Sequence, residues 1–289
     1  MTGRGRLGDG LDGVDRAALV AFDDLTGPRS FAPVLVLIAA YQEEATIGAV
    51  LDALPTQVGE GDLAVDRLVV VDGGRDATAR VAAEHGAFVC ACATNRGQGA
   101  ALRLGYRIAR DRGARYVATT DADGQYVADE LGRLVEPLQR GDADFVTGSR
   151  WLGSQQQASL TRRVGSRVFA WVATRLSGQR ITDTSFGFRA MTADVTAHVT
   201  LRQPQYQSAE LLLEVLGAGY RVLEVPMTMR ARQHGRSKKG SNLRFGAAYT
   251  RAVLATGWRL SQARRRPPRP RPEPRSVVAV GAREDHPVE

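Results

Sequence analysis

Two hydrophobic periods alternate along this chain. Val34–Ala39, Leu68–Val71, Ala87–Cys92, Tyr116–Thr120, Asp144–Thr147 and Arg221–Met229 are short apolar runs bounded by polar or turn residues, and they predict strands. Glu43–Leu54, Asp76–His85, Gly97–Arg112, Arg163–Leu176, Ala209–Ala218 and Leu243–Leu260 carry apolar residues at helical spacing. Strands alternating with helices over short connections predict one mainly parallel, Rossmann-like α/β sheet with helices on both faces. Such sheets take ligands at the carboxyl ends of their strands. Here those ends carry Tyr41 and Glu43, Asp72, and Asp121 and Asp123.

The same pattern divides the chain. Residues 1–30 are rich in Gly and Asp and read as a flexible leader, with one short helix near Ala17–Phe22. Residues 31–240 form the α/β domain. Residues 241–263 read as an amphipathic helix, with Phe245, Tyr249 and Trp258 among arginines, a composition that suits an anionic membrane surface or packing on the domain. Residues 264–289 open with RRRPPRPRPEPR, which proline keeps from being helical, and read as a disordered tail.

Composition narrows the class. The chain has 289 residues, 43% hydrophobic and 24% charged, which suits a real core and excludes collagen-like or wholly disordered classes. No stretch reaches the roughly 18 apolar residues of a membrane-spanning helix. MTGRGRLGDGLDGVDR has no apolar core of a signal peptide, so a cytoplasmic location is expected, with the cytoplasmic face of the membrane as the alternative. Cys90 and Cys92 match neither a zinc site nor a redox pair and read as reduced thiols. Of the net charge of +8, the Arg/Pro stretch holds six Arg against one Glu, which leaves the domain mildly basic. That stretch lacks interleaved aromatics, and no nucleic-acid partner is expected. The two lysines of the chain, Lys238 and Lys239, stand side by side in HGRSKKGS and mark that loop as functional.

The chemistry gathers at YVATTDADGQY. Asp121 and Asp123 follow a strand and, two residues apart in extended chain, point the same way. Two carboxylates on one face suit a hard divalent cation, Mg or Mn, that bridges a diphosphate, and Gln125 adds a neutral oxygen. The competing reading is a solvated Asp/Gly turn.

Five segments in order resemble the family 2 inverting glycosyltransferases of GT-A fold, nearest to the dolichyl- or polyprenyl-phosphate sugar synthase branch. IAAYQEE at Ile38–Glu44 is similar to IPAYNEE, and VVVDGGRDAT at Val69–Thr78 to VVDDGSxDxT. NRGQGAALRLGY at Asn95–Tyr106 is similar to NxGKGxAxRxG, and DADGQ at Asp121–Gln125 to DxDxQ. DTSFGFRAM at Asp183–Met191 and EVPMTMRARQHGRSK from Glu224 resemble the family's later elements. The resemblance implies that Tyr41, Glu43 and Asp72 hold the base and ribose of a nucleotide-sugar donor, in a site completed by Ala40, Gly97, Asp121 and Ala122. It implies Asp121, Asp123 and Gln125 as metal ligands, with Asp123 also counted among the catalytic residues.

Arg189, Arg232, Arg236 and Lys238 are the candidate cations beside the phosphates. A lipid-phosphate acceptor is already an anion, whereas a hydroxyl acceptor would require a base, for which Asp183 and Glu210 are the candidates. Several positions depart from the family pattern: Ala39 for Pro, Gln42 for Asn, Gly73 for the second Asp of DDGS, Gln98 for the Lys of GKG, and Tyr126 for His. They leave the donor open between GDP- and UDP-sugars. The alternatives are the same chemistry on a soluble hydroxyl acceptor, a sugar nucleotidyltransferase, and a non-catalytic nucleotide-sugar binding protein.

Overall fold

The structure, a computed structural model, describes residues 11–155, 167, 169–175, 178–199, 201–203 and 207–231. Over these, eight strands make one sheet: β1 (Val34–Ala40), β2 (Gln57–Val58), β3 (Leu63–Asp72), β4 (Phe88–Cys92), β5 (Tyr116–Asp121), β6 (Phe145–Gln155), β7 (Arg189–Thr192) and β8 (Val222–Met229). β2 and β4 both pair with β3, and the order continues through β1, β5, β7, β6 and β8. β3, β1 and β5 are parallel neighbours, β4 runs parallel to β3, and β8 runs parallel to β6. β7 is antiparallel to both β5 and β6, and β2 is antiparallel to β3. The expected single, mainly parallel sheet is present.

Alternation of side chains along the central strands builds two cores, one on each face. Leu35 and Leu37 of β1 and Leu68 and Val70 of β3 face one side. There they meet helices α1 (Gly13–Thr26), α4 (Gln98–Asp111), α6 (Ala193–His198) and α7 (Gln207–Gly217). Val34, Val36 and Ile38, with Val69 and Val71, face the other side, against α2 (Ile47–Ala53), α3 (Thr78–Glu84) and α5 (Leu131–Gln139). Gly105 of α4 permits the closest approach, since a Cβ there would lie 2.3 Å from Leu37 Cδ1.

Several elements differ from expectation, the short strand β2 and helix α6 among them. The leader read over 1–30 gives way, across Gly13–Thr26, to a packed helix. Its polar start is a capping box: the Asp12 carboxylate accepts from the Asp15 amide, and the Asp15 carboxylate accepts from the Asp12 amide. Its inner face buries Ala18 and Phe22. Helix α5 was not expected, although Leu131, Leu134, Val135 and Leu138 have the right spacing, because Pro137 and Gly132 argue against a helix. Pro137 lies inside the helix and buried, where it forgoes its i→i−4 hydrogen bond, and the helix ends two residues later. Strand β7 was also unexpected, for its four residues include a buried arginine. Helix α2 starts at Ile47 rather than Glu43, because residues 43–46 form a turn closed by the Thr46 amide on the Glu43 carbonyl.

Residues 169–175 are helical inside the expected Arg163–Leu176 segment. The expected helix at Leu243–Leu260 and the Arg/Pro tail lie outside the described residues. No helix among the described residues is long and apolar enough to cross a membrane.

If α1 is part of the domain, truncating its anchor must destabilise the whole fold. Phe22, 1% exposed, also lies under the Arg112 guanidinium, 5.3 Å from ring centre to Cζ. Phe22→Ala is expected to cost about 3–5 kcal/mol in denaturant unfolding. A change within about 0.5 kcal/mol would return α1 to the status of a loose leader.

Candidate active site

The register brings the ends of β1, β3, β4 and β5 to one edge: Ala39 lies opposite Asp121, Ala40 opposite Val71, and Asp72 opposite Cys92. Asp121 ends β5, and its Oδ1 accepts a hydrogen bond of 3.0 Å from Gln98 Nε2, at the start of α4. Ala122 is buried, and the chain then turns at Gly124, whose φ is +70°. Asp123 Oδ1 accepts the Gln125 amide at 3.2 Å. Gln125 is stitched to the end of β8: its carbonyl accepts the Arg230 amide at 2.7 Å, and its side-chain nitrogen donates to the Arg230 carbonyl at 3.3 Å. The described chain therefore reaches Ala231 beside this turn. Arg232, Arg236 and Lys238 follow and lie outside the described residues.

Behind Asp121 runs the loop that leads into β7. The Gly187 amide donates to Tyr126 Oη at 2.8 Å, and Thr119 Oγ1 donates to the Gly187 carbonyl at 3.2 Å. A Cβ on Gly187 would lie 2.8 Å from Tyr126 Oη and 2.9 Å from Asp121 Oδ2, so glycine is required there by space. Phe186 and Phe188, both fully buried, hold the Tyr126 ring at centroid distances of 4.8 and 5.9 Å. Burial, then the Asp121 charge, push the Tyr126 hydroxyl far above its ordinary value, which keeps it a neutral partner of this loop.

Several expected site residues are occupied otherwise. Asp72, 2% exposed, accepts the amides of Arg96 (2.9 Å) and Gly97 (2.6 Å). It holds the 94–97 loop. Burial raises its pKa, while those two amides pull the other way. Gly73 follows at φ +72°, where a Cβ would sit 2.5 Å from the Asn95 amide nitrogen. The missing second Asp of the family motif thus has a steric cause. Asp183, 1% exposed, takes Arg150 Nε at 2.6 Å and the Ser185 amide at 3.0 Å. Its own amide donates to Glu224 Oε1 at 2.8 Å. Glu210, 1% exposed, accepts the amides of Arg202 (3.0 Å) and Gln203 (2.8 Å). Arg189, expected beside phosphates, is 3% exposed inside the sheet and donates to the carbonyls of Ser208 and Phe186.

Tyr41 and Glu43 remain at the rim. Tyr41 is 36% exposed, directly after β1. The Glu43 amide donates to Thr78 Oγ1, and Thr78 Oγ1 donates in turn to Asp76. Glu44 completes a cross-brace: its amide reaches Asp76 and its carboxylate accepts the Ala77 amide. The turns after β1 and β3 are locked together, which explains why both motifs carry acids at these places.

Among the described residues no group of three or more His, Cys, Asp and Glu side chains is placed to hold a metal. Two carboxylates and one amide oxygen, Asp121, Asp123 and Gln125, nevertheless fit a cation that completes its shell with water and diphosphate oxygens, the usual manner of Mg.

The profile of glycosyl transferase family 2 matches residues 35–199. The chain belongs to that family. A dolichyl-phosphate hexose transferase of Haloferax volcanii is 31% identical over 70% of this chain and 85% of its own length. A polyprenol monophosphomannose synthase of Mycolicibacterium smegmatis is 30% identical over 84% of this chain and 95% of its own. Among solved structures, glucosyl-3-phosphoglycerate synthase from Mycobacterium tuberculosis, in complex with Mn2+, uridine diphosphate and glucosyl-3-phosphoglycerate, superposes with a TM-score of 0.58. It is 20% identical over 90% of this chain and 86% of that one, which establishes the GT-A fold.

For this family 2 glycosyltransferase, the sequence left Arg96, Arg150, Gly187 and the partnership of Gln98 with Asp121 unassigned. The signals were the altered GKG motif and the glycine between two phenylalanines.

Glu224 generates a pH test. Burial, the largest cause, pushes it above its ordinary 4.5, against the amides of Asp183 and Thr182. The native state therefore keeps this proton to higher pH than the unfolded chain does, and its contribution to stability falls as pH rises from below 4.5 through the raised value. Glu224→Gln removes that dependence. The deficit of the variant against wild type should be larger at about pH 4 than at about pH 7 in denaturant titrations. A deficit that grows toward neutral pH would contradict the sign.

Proposed function

We propose that this chain transfers a sugar from a GDP- or UDP-linked donor to a polyprenyl-phosphate acceptor, with inversion and with Mg or Mn assistance. The observation that carries the acceptor assignment is the state of the two carboxylates offered as bases. Asp183 and Glu210 are each 1% exposed and bound to Arg150 or to backbone amides. A hydroxyl acceptor needs a base within hydrogen-bond reach, whereas a lipid phosphate is already ionised. The names of the polyprenyl- and dolichyl-phosphate relatives support the same reading.

In this reading Asp121, Asp123 and Gln125 hold the cation, which supplies positive charge to the departing nucleoside diphosphate. Gln98 orients Asp121, and Gly187 leaves room for that orientation. Tyr41 packs on the base, and Glu43 accepts from base or ribose. Arg232, Arg236 and Lys238 neutralise donor and acceptor phosphates. Peripheral contact with an anionic membrane, at its cytoplasmic face, falls to the Leu243–Arg266 stretch. A second reading, a soluble hydroxyl acceptor, is favoured by the solved neighbour that is bound to glucosyl-3-phosphoglycerate.

The test incubates the purified chain and Mn2+ with radiolabelled GDP-mannose or UDP-glucose and either a polyprenyl phosphate or 3-phosphoglycerate. A labelled glycolipid is expected. Label in phosphoglycerate alone would select the second reading. Asp123→Ala should abolish transfer and leave the melting temperature within about 3 °C, a change on the order of 1 kcal/mol. Loss of the fold would instead make Asp123 a structural turn residue. Gly187→Ala should weaken Mn2+-dependent nucleotide binding by about tenfold, since Asp121 must move. Unchanged binding in calorimetry would separate this loop from the metal ligands.

A further inference from the structure

The 94–97 loop between β4 and α4 is gripped from two sides. Beneath it, Asp72 takes the Arg96 and Gly97 amides, and Gly73 lets the Asn95 backbone approach to a distance no side chain would allow. Above it, the Arg96 side chain turns away from the strand ends toward α1. Its Nη1 lies 2.8 Å from both Asp12 oxygens, and its Nη2 lies 2.8 Å from Asp15 and 3.3 Å from Cys92 Sγ. Only 16% of the Arg96 side chain is exposed, and 4% of that of Asp15. Two residues on, Gln98 donates to Asp121. One continuous path thus runs from the N-terminal helix through Arg96 to the first acid of the metal motif.

We propose that Arg96 is a positioning residue for the donor site, and that α1, through Asp12 and Asp15, sets the loop that carries Gly97 and Gln98. This rests on the donor reading given above. An arginine in a donor loop would ordinarily be assigned to the diphosphate. Here its guanidinium is neutralised by two carboxylates, and both serve α1 as its capping box. Those acids also offset the positive end of the helix, which would otherwise repel the guanidinium. The charge of Arg96 is therefore directed to the helix, and its backbone to the site. Arginine suits this task because one planar fork spans two acids; an ammonium would meet one at a time.

The two roles predict opposite signs. Asp12→Asn with Asp15→Asn removes the ion pairs, while Asn still caps a helix as well as Asp does. If Arg96 positions the loop, this double variant binds UDP or GDP with Mn2+ about fivefold more weakly in calorimetry, and Arg96→Ala does the same. Arg96→Lys should recover part of that loss. Asp23→Asn, which removes the ion pair with Arg112 at the other end of α1, should bind as wild type does and so controls for a loss of charge on the helix.

Tighter nucleotide binding by the double variant would overturn the proposal and return Arg96 to the diphosphate, and unchanged binding would overturn it as well. Hydrogen exchange gives an arm that needs no nucleotide. The amides of Gly97 and Gln98 should exchange faster in the double variant than in wild type or Asp23→Asn. Equal exchange would refute the grip even if no nucleotide binds, whereas faster exchange in a chain that binds no nucleotide would overturn the donor reading alone. Should Arg96→Ala fail to fold, the double Asn variant decides.

Discussion

Buried carboxylates that hold backbone amides are the constraint on which the carboxyl edge of this sheet depends. An ionised group removed from water is costly unless it is fully hydrogen-bonded. Buried Asp72, Asp183 and Glu210 and half-buried Glu224 meet that demand with partners drawn mostly from loops. Asp72 fixes the loop before α4. Glu224 holds Thr182 and Asp183, and Asp183 in turn holds Arg150 and Ser185. Glu210 gathers residues 202 and 203 ahead of α7. Buried apolar residues such as Phe186, Phe188 and Leu201 anchor these loops to the cores, and the acids fix the backbone between those anchors.

This constraint separates two kinds of acid that look alike in sequence. Asp72 and Asp121 both end a parallel strand, and both sit in motifs resembling the family pattern. The difference lies in what reaches them. Asp72 has an amide pair 2.6–3.1 Å away and is 2% exposed. Among the described residues the Asp121 carboxylate takes one hydrogen bond, from the Gln98 side chain, and no backbone amide. The local sequence encodes the strand end; the tertiary partner decides whether its carboxylate is spent on the fold.

Much of the architecture was legible because its strands are continuous apolar runs. β1, β4, β5 and β8 match the expected runs nearly to the residue, whereas β3 begins at Leu63, five residues before the expected Leu68, because its first half is only partly buried. The parts that were not legible fail for identifiable reasons. β7 is four residues long with an arginine at its start, and only the neighbouring Thr119 and Thr147 in the register show that it belongs inside the sheet. α1 begins LDGVD, which by composition is a polar leader and by geometry is a capping box. For the site, type and spacing located the strand ends and the acids of the turns that follow them. They did not tell Arg189, bound to carbonyls within the sheet, from arginines that are free to meet a phosphate.

The departures from the family pattern become coherent once the loop before α4 is seen as a single object. Gly73 in place of aspartate lets the Asn95 backbone settle on the end of β3. Gln98 in place of lysine then bonds Asp121 without neutralising it. A lysine at that point would pair with Asp121 and lower its charge toward a cation, whereas glutamine leaves the carboxylate its full charge while fixing its direction. Between these two positions the loop is fixed to the end of β3 by backbone contact and to Asp121 by a neutral hydrogen bond. In the proposed function, a site that lacks this lysine leans on the cation more than one that keeps it.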